Sequence, residues 1–242
     1  MTGQMIDFDT AGTPASGYLA TPAATTESGA PAVIVLHAWW GLTEPFRQVC
    51  DRLAEAGFVA LAPDLYRGKT ATTVEEAQSL ASALNQQEER VRGDIQGAIH
   101  YLRQHGQHAA TAATNPNDGR GKLALIGFSL GGAYALDTSV NLPEEIAAVV
   151  IFYTTYPGLD YRRAQAAYLF HFAENDPFEP AESVAAMEHD LQAAGKQTTF
   201  YTYPGTTHWF FEANRPDAYD AEAAALAWER TIAFLNTELR RA

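Results

Sequence analysis

The sequence is poor in cysteine and in long apolar runs. Its 242 residues include one cysteine, Cys50, so no internal disulfide can form and nothing demands an oxidising compartment. The longest apolar runs, such as residues 146–153, contain about eight residues, whereas a membrane-spanning helix needs roughly 20. The N-terminus lacks the basic start and the apolar stretch of a secretory signal. We therefore expect a cytoplasmic protein without a membrane span.

Positive charge is also scarce. Sixteen lysines and arginines stand against 29 aspartates and glutamates, which gives a formal net charge of -13. A surface of this sign repels phosphate backbones and anionic membranes, so nucleic-acid binding is disfavoured. None of the seven histidines has a second histidine or cysteine at metal-ligand spacing. We predict no metal and no cofactor.

Apolar runs alternate with helical patterns through most of the chain. Hydrophobic residues make up 47% of the sequence, which is enough for a large core. Residues 5–22 fit a hairpin at a sheet edge, and residues 106–121 fit a surface loop. The predicted strands are residues 32–36, 58–62, 122–128, 146–153, 167–172 and 197–203, and the first of these has the pattern of a strand buried on both faces. We predict one α/β domain over residues 1–242, with a mainly parallel doubly wound sheet flanked by helices.

A Gly-x-Ser-x-Gly turn lies between one of these strands and the helix that follows it. In Gly127-Phe128-Ser129-Leu130-Gly131 the glycines leave room for a tight turn that pushes the serine hydroxyl beyond the sheet. Ser129 is therefore the candidate nucleophile. The alternative is an ordinary serine in a glycine-rich turn.

A serine nucleophile needs a general base and an acid that orients the base. Such groups collect beyond the carboxyl ends of parallel strands, in the chain order serine, acid, histidine. Asp176 follows the strand at 167–172 and is the predicted acid, with Glu174 in the same loop as its competitor. His208 follows the strand at 197–203 and is the predicted base. His37 also ends a strand, but it precedes the serine.

The tetrahedral intermediate of such a reaction needs two donors for its oxyanion. The backbone N–H of Leu130, at the start of the helix after the nucleophile, is the first predicted donor. The second should come from the loop after the strand at 32–36, where we predict the N–H of Trp39 and keep Ala38 as the alternative.

These motifs resemble those of the dienelactone hydrolase family of α/β-hydrolases over nearly the whole chain. The stretches that carry the resemblance are Gly57–Tyr66, Gly127–Gly132, Asp176–Pro180, Tyr203–His208 and Tyr219–Thr231. The resemblance implies the triad Ser129, Asp176 and His208, with Leu130 and Trp39 as the oxyanion donors. It also suggests a monomer.

The sequence departs from the family's archetype in three ways. The archetype has a cysteine nucleophile where this chain has Ser129, and a glutamate that governs the thiolate where this chain has Ala38. It also binds the substrate carboxylate with two arginines. One of those positions is Glu212 here, and residues 70–89 contain no lysine or arginine, although Arg215 lies nearby.

We therefore predict a serine hydrolase for small neutral esters or lactones. Its pocket should be lined by the aromatic residues Trp40, Trp209, Phe210 and Phe211. Two alternatives stay open: a true dienelactone hydrolase with a relocated anion site, and a non-catalytic protein that binds a ligand in the same pocket.

Overall fold

A computed structural model describes residues 3–10, 12–23, 30–105 and 123–240. These residues contain eight β-strands and six α-helices. The backbone contacts divide the chain into two compact units, Met1–Leu123 (unit 1) and Ala124–Ala242 (unit 2). The expectation of a single domain stays a prediction. The predicted surface loop at 106–121 lies outside the described residues.

Unit 1 contains four strands, β1 (Gln4–Phe8), β2 (Ala15–Ala20), β3 (Ala32–Leu36) and β4 (Val59–Pro63), in the order β1-β2-β4-β3. The first two form the predicted edge hairpin, since β1 pairs with β2 in antiparallel fashion. β2 is antiparallel to β4, and β4 is parallel to β3. Every residue of β3 and β4 is buried, as expected for strands covered on both faces. The helices of unit 1 are α1 (Glu44–Glu55), α2 (Val74–Asn85) and α3 (Glu88–Gln104).

The helices of unit 1 begin and end where their sequences predict. α1 has a proline in its first turn and buries an apolar stripe that includes Cys50, and this burial raises the pKa of the Cys50 thiol. α2 begins with a capping box, in which Thr73 and Glu76 each accept a hydrogen bond from the other's backbone N–H. Residues 86 and 87 separate α2 from α3.

Unit 2 contains three parallel strands in the order β6-β7-β8. β5 begins at the last residue of unit 1 and is buried along its length. The elements are β5 (Leu123–Phe128), α4 (Leu130–Asn141), β6 (Ile146–Phe152), β7 (Ala167–Asn175), α5 (Ala181–Ala193), β8 (Thr198–Thr207) and α6 (Ala221–Leu239). Strand and helix alternate, and most pairs are parallel, so the predicted α/β class is confirmed.

α6 begins later than the sequence indicates. Pro216 suggests a start near that residue, but Ala218 and Tyr219 donate to the carbonyl of Arg215 in a separate turn. Asp220 is then extended, and its side chain accepts from the N–H groups of residues 222 and 223. This cap sets the first helical residue at Ala221.

His171 on β7 is a core histidine with a hydrogen-bond partner for each ring nitrogen. The side chain is fully buried, and its ring nitrogens lie 2.8 Å from the hydroxyl of Tyr203 and 3.1 Å from that of Thr231. Burial lowers the pKa of His171 to about 3, so the ring is neutral. No helix within the described ranges is both long and apolar enough to cross a membrane.

Candidate active site

Ser129 lies at the sharp turn between β5 and α4. Its backbone has φ +47° and ψ -116°, a strained conformation that is rare for a residue with a side chain. The turn is held by hydrogen bonds from Ser129 N–H to the Phe152 carbonyl (3.0 Å) and from the Thr154 hydroxyl to the Ser129 carbonyl (2.6 Å). The strain is therefore balanced by contacts with the end of β6.

Two glycines are sterically required at this turn. A Cβ on Gly127 would lie 2.6 Å from the carbonyl oxygen of Gly131, and a Cβ on Gly132 would lie 2.9 Å from the side chain of Thr154. Both distances are shorter than real Cβ contacts, so a side chain at either position would force the elbow or its neighbours to shift.

The structure brings the three predicted side chains Ser129, His208 and Asp176 together. His208 Nε2 lies 3.1 Å from Ser129 Oγ, and His208 Nδ1 lies 2.7 Å from Asp176 Oδ2. A carboxylate oxygen only accepts, so Nδ1 carries the proton and Nε2 is left to accept from the serine hydroxyl. The His208 and Asp176 side chains are 4% and 1% exposed, so this pair is shielded from water.

The hydrogen bonds of the loop after β7 distinguish Asp176 from Glu174, the two candidate acids of the sequence analysis. The second oxygen of Asp176 accepts from the backbone N–H groups of Phe178 (2.9 Å) and Glu179 (3.2 Å), which fixes the carboxylate in place. Glu174 instead accepts from the backbone N–H of Gly205 at 2.9 Å. Asp176 is therefore the acid that contacts the histidine.

Three aromatic rings surround the imidazole of His208. Their centroids lie 4.7 Å (Tyr153), 4.9 Å (Phe178) and 5.0 Å (Trp209) from it. Trp209 is one of the predicted pocket residues, whereas Tyr153 and Phe178 were missed. Both follow the carboxyl end of a strand, β6 and β7, and this position could have identified them.

The other predicted pocket residues of unit 2 pack among buried rings. Phe210 is fully buried against Tyr203, at 4.9 Å between centroids. The ring centroid of Phe211 lies 4.6 Å from that of Phe152 and 5.5 Å from that of Phe128. The assignment of both residues to a substrate pocket stays a prediction.

Glu212 is a buried acid in contact with Tyr153, whose ring packs against that of His208. Only 1% of the residue is exposed, and its Oε1 accepts from the hydroxyl of Tyr153 at 2.8 Å. Its Oε2 has no hydrogen-bond partner among the described residues. Burial raises the pKa of Glu212 to about 8, although the Tyr153 hydrogen bond and the charge of Arg215 act in the opposite direction.

The two predicted residues of unit 1 follow β3. Trp39 and Trp40 occupy a turn in which Gly41 N–H donates to the Ala38 carbonyl at 3.1 Å, and Gly41 has φ +92°. Their rings meet edge to face, with centroids 5.5 Å apart. In unit 2, Leu130 is the first residue of α4, where backbone N–H groups have no partner within the helix. The roles of Trp39 and Leu130 as oxyanion donors stay predictions.

The described residues contain no group of three or more His, Cys, Asp or Glu side chains that could hold a metal ion. The contacts from Ser129 Oγ through His208 to Asp176 support nucleophilic chemistry. A strand, a strained serine elbow and a helix, followed along the chain by an acid and a histidine at strand ends, are the defining features of an α/β-hydrolase.

The comparison with known proteins agrees with this class and refines it. The chain belongs to the dienelactone hydrolase family, whose sequence profile matches residues 15–239. It is 32% identical over 243 residues to the protein usf of Aquifex pyrophilus, with 98% of this chain and 99% of that protein covered. It is 30% identical over 244 residues to a protein of Aquifex aeolicus (strain VF5) provisionally named as a carboxymethylenebutenolidase, with 98% and 100% covered.

A solved structure confirms the fold. The crystal structure of a dienelactone hydrolase-like promiscuous phosphotriesterase from metagenomic libraries has a TM-score of 0.84, covers 98% of both chains and shares 22% sequence identity. The protein is thus a hydrolase of the dienelactone hydrolase family with the α/β-hydrolase fold.

Proposed function

We propose that the protein is a serine hydrolase that cleaves small neutral carboxylic esters or lactones through an acyl-enzyme on Ser129. The observation that carries this proposal is the continuous hydrogen-bonded chain from Ser129 Oγ through His208 to Asp176, at 3.1 and 2.7 Å. These distances allow proton transfer between the hydroxyl and the imidazole without rearrangement.

The reaction proceeds in two halves. Ser129 Oγ attacks the carbonyl carbon while His208 Nε2 takes the hydroxyl proton, and the carbonyl π electrons move onto the oxygen. When this tetrahedral intermediate collapses, the C–O bond to the leaving alcohol breaks and Nε2 returns the proton to that alcohol. A water molecule then attacks the acyl-enzyme by the same steps and releases the acid. Asp176 stays ionised and holds the Nδ1–H of His208 throughout.

The backbone N–H groups of Leu130 and Trp39 would stabilise the negative charge on the oxyanion. Donors that are fixed before the reaction act without reorganisation, and each is worth about 10²–10³ in kcat in serine hydrolases. Leu130 suits this role because it opens α4, where the helix dipole favours negative charge.

The proposed preference for neutral substrates rests on the identity of residue 212 and on the surroundings of Arg215. Glu212 is an acid at one position where the family's archetype binds a carboxylate with arginine. Arg215, the nearby cation, contacts the carboxylate of Asp217 at 3.0 Å and lies over the Trp209 ring at 4.7 Å. The positive charge available for a substrate anion is therefore reduced by a neighbouring negative charge.

Substitution of the nucleophile tests the proposal. Ser129→Ala should reduce the kcat for p-nitrophenyl acetate by about 10⁴-fold or more, because the covalent pathway is lost. Ser79→Ala, which removes an exposed hydroxyl from α2, is the matched control and should leave kcat unchanged. An unchanged rate in Ser129→Ala would refute the assignment. A fluorophosphonate probe that leaves Ser129 unlabelled would favour the non-catalytic binder.

The relatives named as carboxymethylenebutenolidases make a true dienelactone hydrolase the second candidate. A series of esters matched in size, each neutral or bearing a carboxylate, separates the two. We expect a higher kcat/KM for the neutral member of each pair. A preference for the anion would support the second candidate.

A further inference from the structure

His37 is a fully buried histidine that the proposed mechanism does not use. It follows β3 directly and lies in unit 1. Its Nδ1 is 2.7 Å from the carbonyl oxygen of Ala38, and its Nε2 is 3.3 Å from the backbone nitrogen of Leu65. Both ring nitrogens thus contact the backbone, one on each side of the ring.

These two contacts define one protonation state of His37. A carbonyl oxygen can only accept, so Nδ1 must carry a proton, and a backbone N–H can only donate, so Nε2 must carry none. The ring is therefore the neutral Nδ1–H tautomer. Burial agrees with this assignment because it lowers the pKa of His37, although the charge of Asp64 and the Ala38 hydrogen bond oppose the shift.

The Ala38 carbonyl is consequently held by two donors. His37 Nδ1–H donates from one direction, and Gly41 N–H donates across the turn at 3.1 Å. The rings of Tyr66 (5.1 Å between centroids) and Phe46 (6.4 Å) pack against the imidazole and fix its plane. The orientation of this carbonyl is thus determined by side-chain packing as well as by the turn.

The Ala38 carbonyl belongs to the same peptide unit as the N–H of Trp39. No described peptide bond is cis, and in a planar trans peptide the C=O and N–H vectors point in opposite directions. Whatever fixes the Ala38 carbonyl therefore also fixes the direction of the Trp39 N–H.

We propose that His37 is a positioning residue that aims the Trp39 N–H by holding the Ala38 carbonyl. This inference rests on the proposed function, in which the Trp39 N–H is an oxyanion donor. His37 does not touch the substrate and transfers no proton. Its contribution is to keep the donor peptide oriented before the reaction, which is what makes such a donor effective.

Two substitutions separate the two contacts of His37. In His37→Asn the amide nitrogen is attached to Cγ, as Nδ1 is, so it can still donate to the Ala38 carbonyl. In His37→Gln the amide reaches the position of Nε2, so it can accept from Leu65 N–H but leaves the Ala38 carbonyl without its side-chain donor. Each variant loses the imidazole ring and one of its two hydrogen bonds, so we expect the two variants to be destabilised to a similar extent.

We expect kcat for p-nitrophenyl acetate to be about tenfold higher in His37→Asn than in His37→Gln, with KM equal within about twofold. The KM should not separate them because the oxyanion forms only in the transition state. A purely structural role would lower the unfolding midpoints of both variants and leave their kcat values equal. Equal kcat values, or a lower kcat in His37→Asn, would overturn the proposal.

A measurement on the unaltered protein covers the case in which the variants fail to fold. Nitrogen NMR of ¹⁵N-histidine-labelled protein at pH 7 should show His37 with a protonated Nδ1 and an unprotonated Nε2. An imidazolium, or the opposite tautomer, would overturn the proposal. Ser129→Ala separates a failure of the proposed function from a failure of the His37 proposal. Full activity in Ser129→Ala would refute the proposed function. If Ser129→Ala is inactive but the two His37 variants have equal kcat values, only the role of His37 is refuted.

Discussion

The buried acid Glu212 should make the protein less stable as the pH rises. Its carboxyl has a pKa of about 8 in the folded state, whereas the value for an exposed glutamate is 4.5. The folded state therefore binds this proton more tightly than the unfolded state. The contribution of Glu212 to stability is therefore fully present below pH 4.5 and is lost as the pH rises from there through about 8. The difference between the two pKa values corresponds to about 5 kcal/mol at most.

Glu212→Gln removes this dependence. The amide keeps the size of the side chain, and its oxygen still accepts from the Tyr153 hydroxyl, which lies 2.8 Å from Oε1 in the native protein. Its NH₂ group then occupies the place of Oε2, where a buried donor without a partner costs about 1–3 kcal/mol. The variant should therefore be slightly less stable than the native protein near pH 4.5 and about 2–4 kcal/mol more stable above pH 8.

Urea unfolding at pH 5, 6, 7 and 8 measures this difference directly. The quantity to compare is the free energy of unfolding of the variant minus that of the native protein, because the contributions of all other titrating groups cancel. Glu229→Gln, an exposed acid on α6, is the control and should give a constant difference across the series. If the difference for Glu212→Gln is also constant, Glu212 is not a carboxyl with a raised pKa and the reasoning fails.

Three further predictions concern the elbow and the triad. Gly132→Ala places a Cβ 2.9 Å from Thr154, so we expect it to lower the free energy of unfolding by about 1–3 kcal/mol, measured by urea unfolding. Asp176→Asn should lower kcat for p-nitrophenyl acetate by about 10⁴-fold with little change in the circular dichroism spectrum, because the amide favours the wrong tautomer of His208. Phe178→Ala should raise KM for long-chain esters more than for acetate, since Phe178 is 54% exposed beside the triad, and an equal change for both would contradict a substrate contact.

The proximity of Ser129, Asp176 and His208 was predictable because their positions follow from local patterns. The glycines around Ser129 define the elbow, and Asp176 and His208 each directly follow a strand, so topology alone places them at one end of their strands. The choice of Asp176 over Glu174 depends on where each carboxylate finds backbone donors. The short loop after β7 supplies two N–H groups to Asp176, which favours the aspartate.

The surroundings of the triad were less predictable because they depend on contacts distant in sequence. Tyr153 and Glu212 are 59 residues apart, and nothing in either segment alone indicates that the two side chains meet. The late start of α6 has a more local cause. Pro216 suits the first turn of a helix, but the cap at Asp220 prevails because its side chain satisfies two of the free N–H groups.

The stability cost and the proposed preference for neutral substrates would both originate in Glu212. A carboxyl with no partner for one oxygen is unfavourable in a buried position, so a protein optimised only for stability would have an apolar residue there. Near neutral pH the group lies below its pKa of about 8 and is largely uncharged, and its charge grows as the pH rises. Discrimination against substrate anions should therefore increase over the same pH range in which Glu212 lowers the stability. Because a single ionisation governs both effects, Glu212→Gln should remove them together.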